Sequence, residues 1–189
     1  MGHPSKLAIG LRVAVKVFVK LFLGAGIAAV AAMPARAEVT ASDLMIAGRA
    51  IGFIEKFASS DIRVGIVYAP ESAQSVQQAN VLRTMFGNQI RVGNRVLTAV
   101  MLRTDQVVGA DVGIFLLSEG AGTAGEKVAE TGKFKKIPCI TFDLSQVRNG
   151  VCAIGVQSQP RIQILVNRKA AVESGTTFSS VFRLMITEI

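Results

Sequence analysis

Histidine occurs once in these 189 residues, at His3, and tryptophan does not occur at all. From residue 38 onward the chain therefore carries no imidazole, which removes Ser/His/Asp and Cys/His nucleophilic schemes and the commonest transition-metal ligand. Tyrosine also occurs once, and the phenylalanines are scattered. Beyond residue 37 no basic run is longer than Lys135-Lys136 or Arg168-Lys169. Nucleic-acid binders cluster basic groups and interleave them with aromatic platforms, so no nucleic-acid partner is expected. Glu71, Asp105, Asp111, Glu119 and Asp143 stand singly in turn-like stretches, which suits caps and turns better than paired acid–base work. These absences argue against an enzyme and imply neither a metal nor another cofactor.

Acid is missing from the first 37 residues, where Lys6, Arg12, Lys16, Lys20 and Arg36 supply +5 of the formal +8. The uncharged run 21–33 is short against the ~20 residues that span a bilayer. Pro34 follows, then Ala35-Arg36-Ala37, and small residues at 35 and 37 fit signal-peptidase cleavage between Ala37 and Glu38. The expected organisation is a signal peptide over 1–37 and one domain over 38–189, exported to the periplasm. No stable membrane insertion is expected after cleavage, and an uncleaved N-terminal anchor is the alternative. The remaining 152 residues suffice to bury about 68–70% of the unfolded surface. Cys139 and Cys152 are the only cysteines. In an oxidising compartment they are expected to form a disulfide, closing a loop worth roughly 3 kcal/mol. Two buried thiols on neighbouring strands are the alternative.

Apolar spacing at three and four predicts a helix over 38–60, with Thr40 and Asp43 as a partial capping box. A strand over 62–68 and a helix over 71–86 form one βα unit, with Val76, Ala79, Leu82 and Phe86 as the helix's inward stripe. Further strands are expected at 96–102, 112–117 and 137–142, the second so continuously apolar that both its faces should be covered. Residues 118–125 form a Gly-rich loop before a helix at 126–132. Gly120, Gly122 and Gly125 match G-x-G-x-x-G, but the strand before them is a late one and Glu119 and Glu126 flank the loop. A flexible crossover fits better than a nucleotide site. Residues 151–156 and 161–166 then read as an antiparallel hairpin. The fold class is α/β, a mostly parallel sheet flanked by helices, with a C-terminal β-hairpin and two short helices.

The last stretch is the most informative. After the strand ending at Val166, Asn167 can cap a short helix containing Ala170 and Ala171, and Gly175 closes it. Ser179 and Ser180 then lead into a final apolar helix with Phe182, Leu184, Met185 and Ile186. This order resembles the YfiR family, periplasmic repressors of membrane diguanylate cyclases, although the family's Trp-Pro after the first helix is absent here. The resemblance implies a non-catalytic regulator that restrains an inner-membrane diguanylate cyclase, or another sensor protein, by protein–protein contact. Lower cyclic-di-GMP signalling and less biofilm would follow. A homodimer stays open as a further arrangement.

The alternative is a single-lobe periplasmic solute-binding protein related to transporter-associated binding proteins. The run 62–70 resembles such lobes, and its ligand crevice would lie near Tyr68, Ser72, Ser118 and Glu119. The export reading makes a direct prediction: intact mass of the exported protein corresponds to a chain starting at Glu38. A soluble chain that still starts at Met1 would contradict it.

Overall fold

A computed structural model describes residues 38–57 and 59–189, so Ala37 and the rest of the expected signal peptide lie outside the described residues. Eight strands form one sheet in the order β2-β3-β1-β4-β5-β6-β7-β8. The strands are β1 (Asp61–Tyr68), β2 (Ile90–Val92), β3 (Arg95–Arg103), β4 (Ile114–Leu117), β5 (Cys139–Thr141), β6 (Ile154–Gln157), β7 (Gln163–Val166) and β8 (Thr187–Glu188). β3, β1, β4, β5 and β6 run parallel, whereas β2 is antiparallel to β3 and β7 is antiparallel to β6. The helices are α1 (Ala41–Gly52), α2 (Ala73–Phe86), α3 (Ala124–Lys135), α4 (Leu144–Arg148), α5 (Arg168–Glu173) and α6 (Ser180–Arg183). The expected α/β class is the observed one.

β4 shows why the sheet is covered on both sides. All four of its residues are buried, with Ile114 and Leu116 in one apolar cluster and Phe115 and Leu117 in the other. Side chains alternate along a strand, so a run without polar residues must find cover on each face. The first face packs against α1 and α2 through Leu44, Ala47, Ile51, Ala79, Leu82 and Phe86. The second packs against Val128 of α3 and Leu144 and Val147 of α4. There Gly155 of β6 lets α4 approach closely, since a Cβ at that position would stand 2.6 Å from Val147 Cγ2.

Several elements differ from their sequence pattern. The first helix ends at Gly52, eight residues before the expected stop, because Phe53 and Ile54 turn out of it with i→i−3 bonds to Ala50 and Ile51. Ile54 instead bridges Phe178. On α2 the buried position at the helix start is Ser75 rather than the half-exposed Val76. The short strand β2 precedes β3 and pairs with it across Gly93-Asn94, with Gly93 at φ 59°, where glycine is unstrained. α3 starts two residues earlier and runs three residues further than its apolar pattern indicates. The expected hairpin is present, but it is not the edge of the sheet. The chain end leaves α6 after one turn and adds β8 in parallel to β7. Arg168 fastens β8 by side-chain bonds of 2.9 and 2.7 Å to Glu188, and its backbone N–H donates to Ile189 O.

Cys139 and Cys152 form the disulfide, inside the second apolar face. It joins the start of β5 to the loop that enters β6, so it acts on a loop of 13 residues within one sheet. Replacing both cysteines by alanine should lower stability by about 3 kcal/mol through a freer unfolded chain. Urea unfolding of oxidised wild type against the double variant measures this, and coincident curves would contradict it.

Candidate functional site

Parallel strands put their following loops on one edge, where open α/β sheets gather ligands. β1 is flanked by β3 on one side and β4 on the other, so the connection direction reverses there. The crevice expected at that point is closed. Ser118 Oγ lies 2.6 Å from Ser75 Oγ, Ser75 Oγ accepts from Ala69 N–H at 3.0 Å, and both hydroxyls are fully buried. Ser72 N-caps α2 by accepting from Ser75 N–H at 3.2 Å. Tyr68 is half-buried and packs against the first apolar cluster. Of the four expected crevice residues, Glu119 alone reaches an open cleft, with its N–H donating to Gln78 Oε1 at 2.5 Å.

That cleft, about 350 Å³, lies further along the same edge, over the ends of β4, β5 and β6. Its floor is apolar, from Val39, Phe142, Leu144 and Val156. Its rim is polar: Glu38 and Thr40 before α1, Asp143 and Arg148 around α4, and Gln157, Gln159 and Gln163 on the hairpin. Asp143 N-caps α4, accepting from Ser145 N–H at 2.9 Å and from Ser145 Oγ at 2.6 Å. Asp111 stands before β4 at the opposite edge of the sheet, in an ion pair with Arg63 at 2.5 Å. The two aspartates that sequence places beside strand ends therefore do not converge.

Asp43 gives the cleft its shape. With Thr40 it forms a full capping box: its N–H donates to Thr40 Oγ1 at 3.2 Å, and its Oδ2 accepts from Thr40 N–H at 2.8 Å. Thr40 Oγ1 also lies 2.7 Å from Oδ2, while Oδ1 accepts from Ser158 N–H at 2.6 Å. One carboxylate thus ties the start of α1 to the turn of the hairpin 115 residues away. Burial raises its pKa, but the hydrogen bonds from Thr40 and Ser158 outweigh burial and hold the carboxyl below its ordinary value. The cap is legible in the sequence and the hairpin tie is not, because nothing local in 38–43 refers to residue 158.

The Gly-rich loop turns the donors at the start of α3 inward. The N–H groups of Ala124, Gly125 and Glu126 are bonded to the carbonyls of Ala121, Gly122 and Thr123. The helix start that a phosphate would use is turned into its own loop, in line with the crossover reading.

The C-terminal motif is mostly spent on structure. Asn167 N-caps α5, accepting from Ala170 N–H at 3.0 Å, and donates through Nδ2 to Val147 O at 2.9 Å. Ala170 and Ala171 are buried, and Gly175 sits at φ 64° in the left-handed C-terminal turn. Ser179 accepts from Phe182 N–H at 3.4 Å, which starts α6 at Ser180. Phe182 then stacks on Phe53 with ring centroids 5.1 Å apart. Leu184 is different: it is 88% exposed, and Val181 and Met185 beside it are 61% and 53% exposed. Ile162, at the entrance to β7, is also exposed.

No protein-family model matches the chain, and no curated protein matches it. Its fold is similar to that of a conserved domain protein from Vibrio cholerae O1 biovar El Tor, with 14% identity and a TM-score of 0.52. That match covers 78% of this chain and 59% of the other. It is also similar to an ABC domain from Streptococcus pneumonia crystallised in complex with L-Trp, with 13% identity and a TM-score of 0.50. There 67% of this chain and 56% of the other are covered. The likeness is one of fold, and the chain spans less than two thirds of either protein. Among the described residues no group of His, Cys, Asp and Glu is placed to hold a metal ion, and no helix is long and apolar enough to cross a membrane.

The Asp43 tie yields a pH prediction. Asp43→Asn should cost roughly 1–3 kcal/mol at pH 7. A depressed folded pKa means that the stabilisation is complete above the ordinary value of 3.8 and is lost as pH falls through the folded value. Urea unfolding at pH 7 and pH 3 should show a gap between wild type and variant that narrows at the lower pH. An equal gap at both would contradict the assignment.

Proposed function

We propose that this chain is a periplasmic, non-catalytic regulator that restrains an inner-membrane signalling enzyme, a diguanylate cyclase, by protein–protein contact. The observation that carries the reading is the exposed apolar group Val181, Leu184 and Met185 at the end of the stretch that resembles the YfiR family. Asn167, Ala170, Ala171, Gly175 and Ser179 of that motif each cap, pack or turn the chain, whereas Leu184 presents nearly its whole side chain to solvent. Clustered exposed apolar side chains are costly to leave in water and mark contact surfaces. The Cys139–Cys152 disulfide supports an oxidising compartment, which agrees with export.

The solute-binding alternative draws on the fold likeness and on the cleft. A small solute is held by burying most of its surface, and the cleft here is only partly enclosed. The geometry therefore weighs towards contact with another protein. Restraint of a cyclase requires that the regulator bind the inactive form more tightly than the active one.

Deletion of the gene should raise cellular cyclic-di-GMP, and the wild-type gene should restore it. Leu184→Asp, an exposed change that leaves the thermal unfolding midpoint in place, should fail to restore it. It should also weaken co-purification with the cyclase's periplasmic domain by about tenfold or more, the scale of a hot-spot loss. A deletion without effect on cyclic-di-GMP, or full complementation by Leu184→Asp, would overturn the proposal.

A further inference from the structure

Six lysines follow residue 37, and five of them gather where the parallel strands begin, at the edge opposite the cleft. α3 ends there with Lys133 and Lys135, and Lys136 caps it in the left-handed conformation at φ 57°. Lys133 Nζ is bonded to Glu173 Oε2 of α5 at 2.9 Å, and Lys136 Nζ donates to Glu173 O at 3.0 Å. The Lys133 bond, with the charges of Lys169 and Lys136 nearby, holds the Glu173 carboxyl below its ordinary range. Lys56 Nζ donates to Lys136 O, and Lys135 Nζ donates to Ala110 O at 3.0 Å. A bond to a carbonyl oxygen leaves an ammonium charged and with further donors. The carboxylates close by in the chain are Glu55, Glu130 and Glu173, so the lysines outnumber them five to three. Asp111, beside Ala110, is taken by Arg63.

Cations at the end of a helix face its negative pole, which accounts for Lys133 and Lys135. It does not account for the ring between them. Phe134 is 88% exposed, whereas the other seven phenylalanines of residues 38–189 are buried or half-buried. Val172, next to Glu173 on α5, is 72% exposed. The helices that carry Phe134 and Val172 are joined by the Lys133–Glu173 pair.

We propose that this face rests on an anionic membrane surface, with Phe134 entering the headgroup layer and the lysines meeting lipid phosphates. Apolar side chains set among lysines bind such surfaces because apolar burial and charge attraction add together. All five cations are lysine, although residues 38–189 hold ten arginines against six lysines. Lysine is a compact point charge that suits a diffuse negative surface, whereas the fork of arginine suits a fixed carboxylate. A second copy of this chain is disfavoured as the occupant, because a two-fold contact would set lysines against lysines. The contact is peripheral, since no helix among the described residues is long and apolar enough to cross a membrane. It goes beyond the cyclase reading and does not depend on it.

The test is co-sedimentation of the protein, expressed with its leader and purified after export. The probes are vesicles of equal parts phosphatidylglycerol and phosphatidylcholine, and vesicles of phosphatidylcholine alone. Only the anionic vesicles should carry the protein down, and high salt should release it. Phe134→Ala, at an exposed position, should keep the thermal unfolding midpoint and bind about tenfold more weakly. Lys135→Gln and Lys169→Gln should each weaken binding about fivefold. Equal sedimentation with both vesicles, none with either, or full binding by Phe134→Ala would overturn the proposal. So would a lipid-free dimer that Phe134→Ala separates, or a preference for soluble polyglutamate over the anionic vesicles. Vesicle binding by a protein whose deletion leaves cyclic-di-GMP unchanged keeps this surface and removes the cyclase reading. Leu184-dependent repression without vesicle binding removes this surface alone.

Discussion

Two-sided burial of the central strands is the constraint from which the rest follows. Ile114, Phe115, Leu116 and Leu117 offer water no polar side chain, so β4 is stable only with a layer on each face. Parallel neighbours in turn require long crossovers, and these supply the covering helices α2 and α3. With helices on both faces, the loops that follow the strands are crowded onto one edge. The cleft sits there because it is the place where the layers end and polar side chains can reach water. A two-sided apolar sheet and a polar groove at its carboxyl edge are thus one consequence of the same strands.

Two long-range ties set how that edge is shaped. Asp43 joins the start of α1 to the hairpin turn through Ser158, and the Phe53, Phe178 and Phe182 rings join the end of α1 to the chain terminus. Both operate between segments more than a hundred residues apart, and both fix α1 over the first face of the sheet. The hairpin wall of the cleft is held by one of them, and the exposed apolar end of the chain is positioned by the other. A regulator that docks by this edge would present a surface defined by these contacts rather than by mobile loops.

Several features were legible in the sequence because they are local. The strand at β1, the helix at α2, the Thr40–Asp43 box, the Asn167 cap and the Gly175 stop all depend on residues near one another in the chain. The cysteine pair was legible by count and compartment. The elements that were misjudged are those with weak local preference. β2 has three residues and β8 two, and each exists because a neighbouring strand offers it hydrogen-bond partners. The helix pattern beyond Gly52 was real as apolar spacing, but Ile54 and Phe57 serve a bridge and a loop contact instead.

The candidate site was the least legible part. Sequence pointed to Tyr68, Ser72, Ser118 and Glu119, all near the strand-direction reversal beside β1, and folding closes that point by the Ser75–Ser118 hydrogen bond. The open cleft draws on residues from 38 to 163, and no spacing rule links them. By itself, then, the amino-acid order determined the α/β class, the doubly buried strands, the helix caps and the lack of histidine chemistry beyond the first residues, since these follow from periodicity, side-chain type and composition. Only the tertiary structure decided which glutamines and carboxylates share a groove, which motif residue remains exposed and where the sheet ends. Those are matters of distance between segments, and distance is set by packing once the chain has closed on itself.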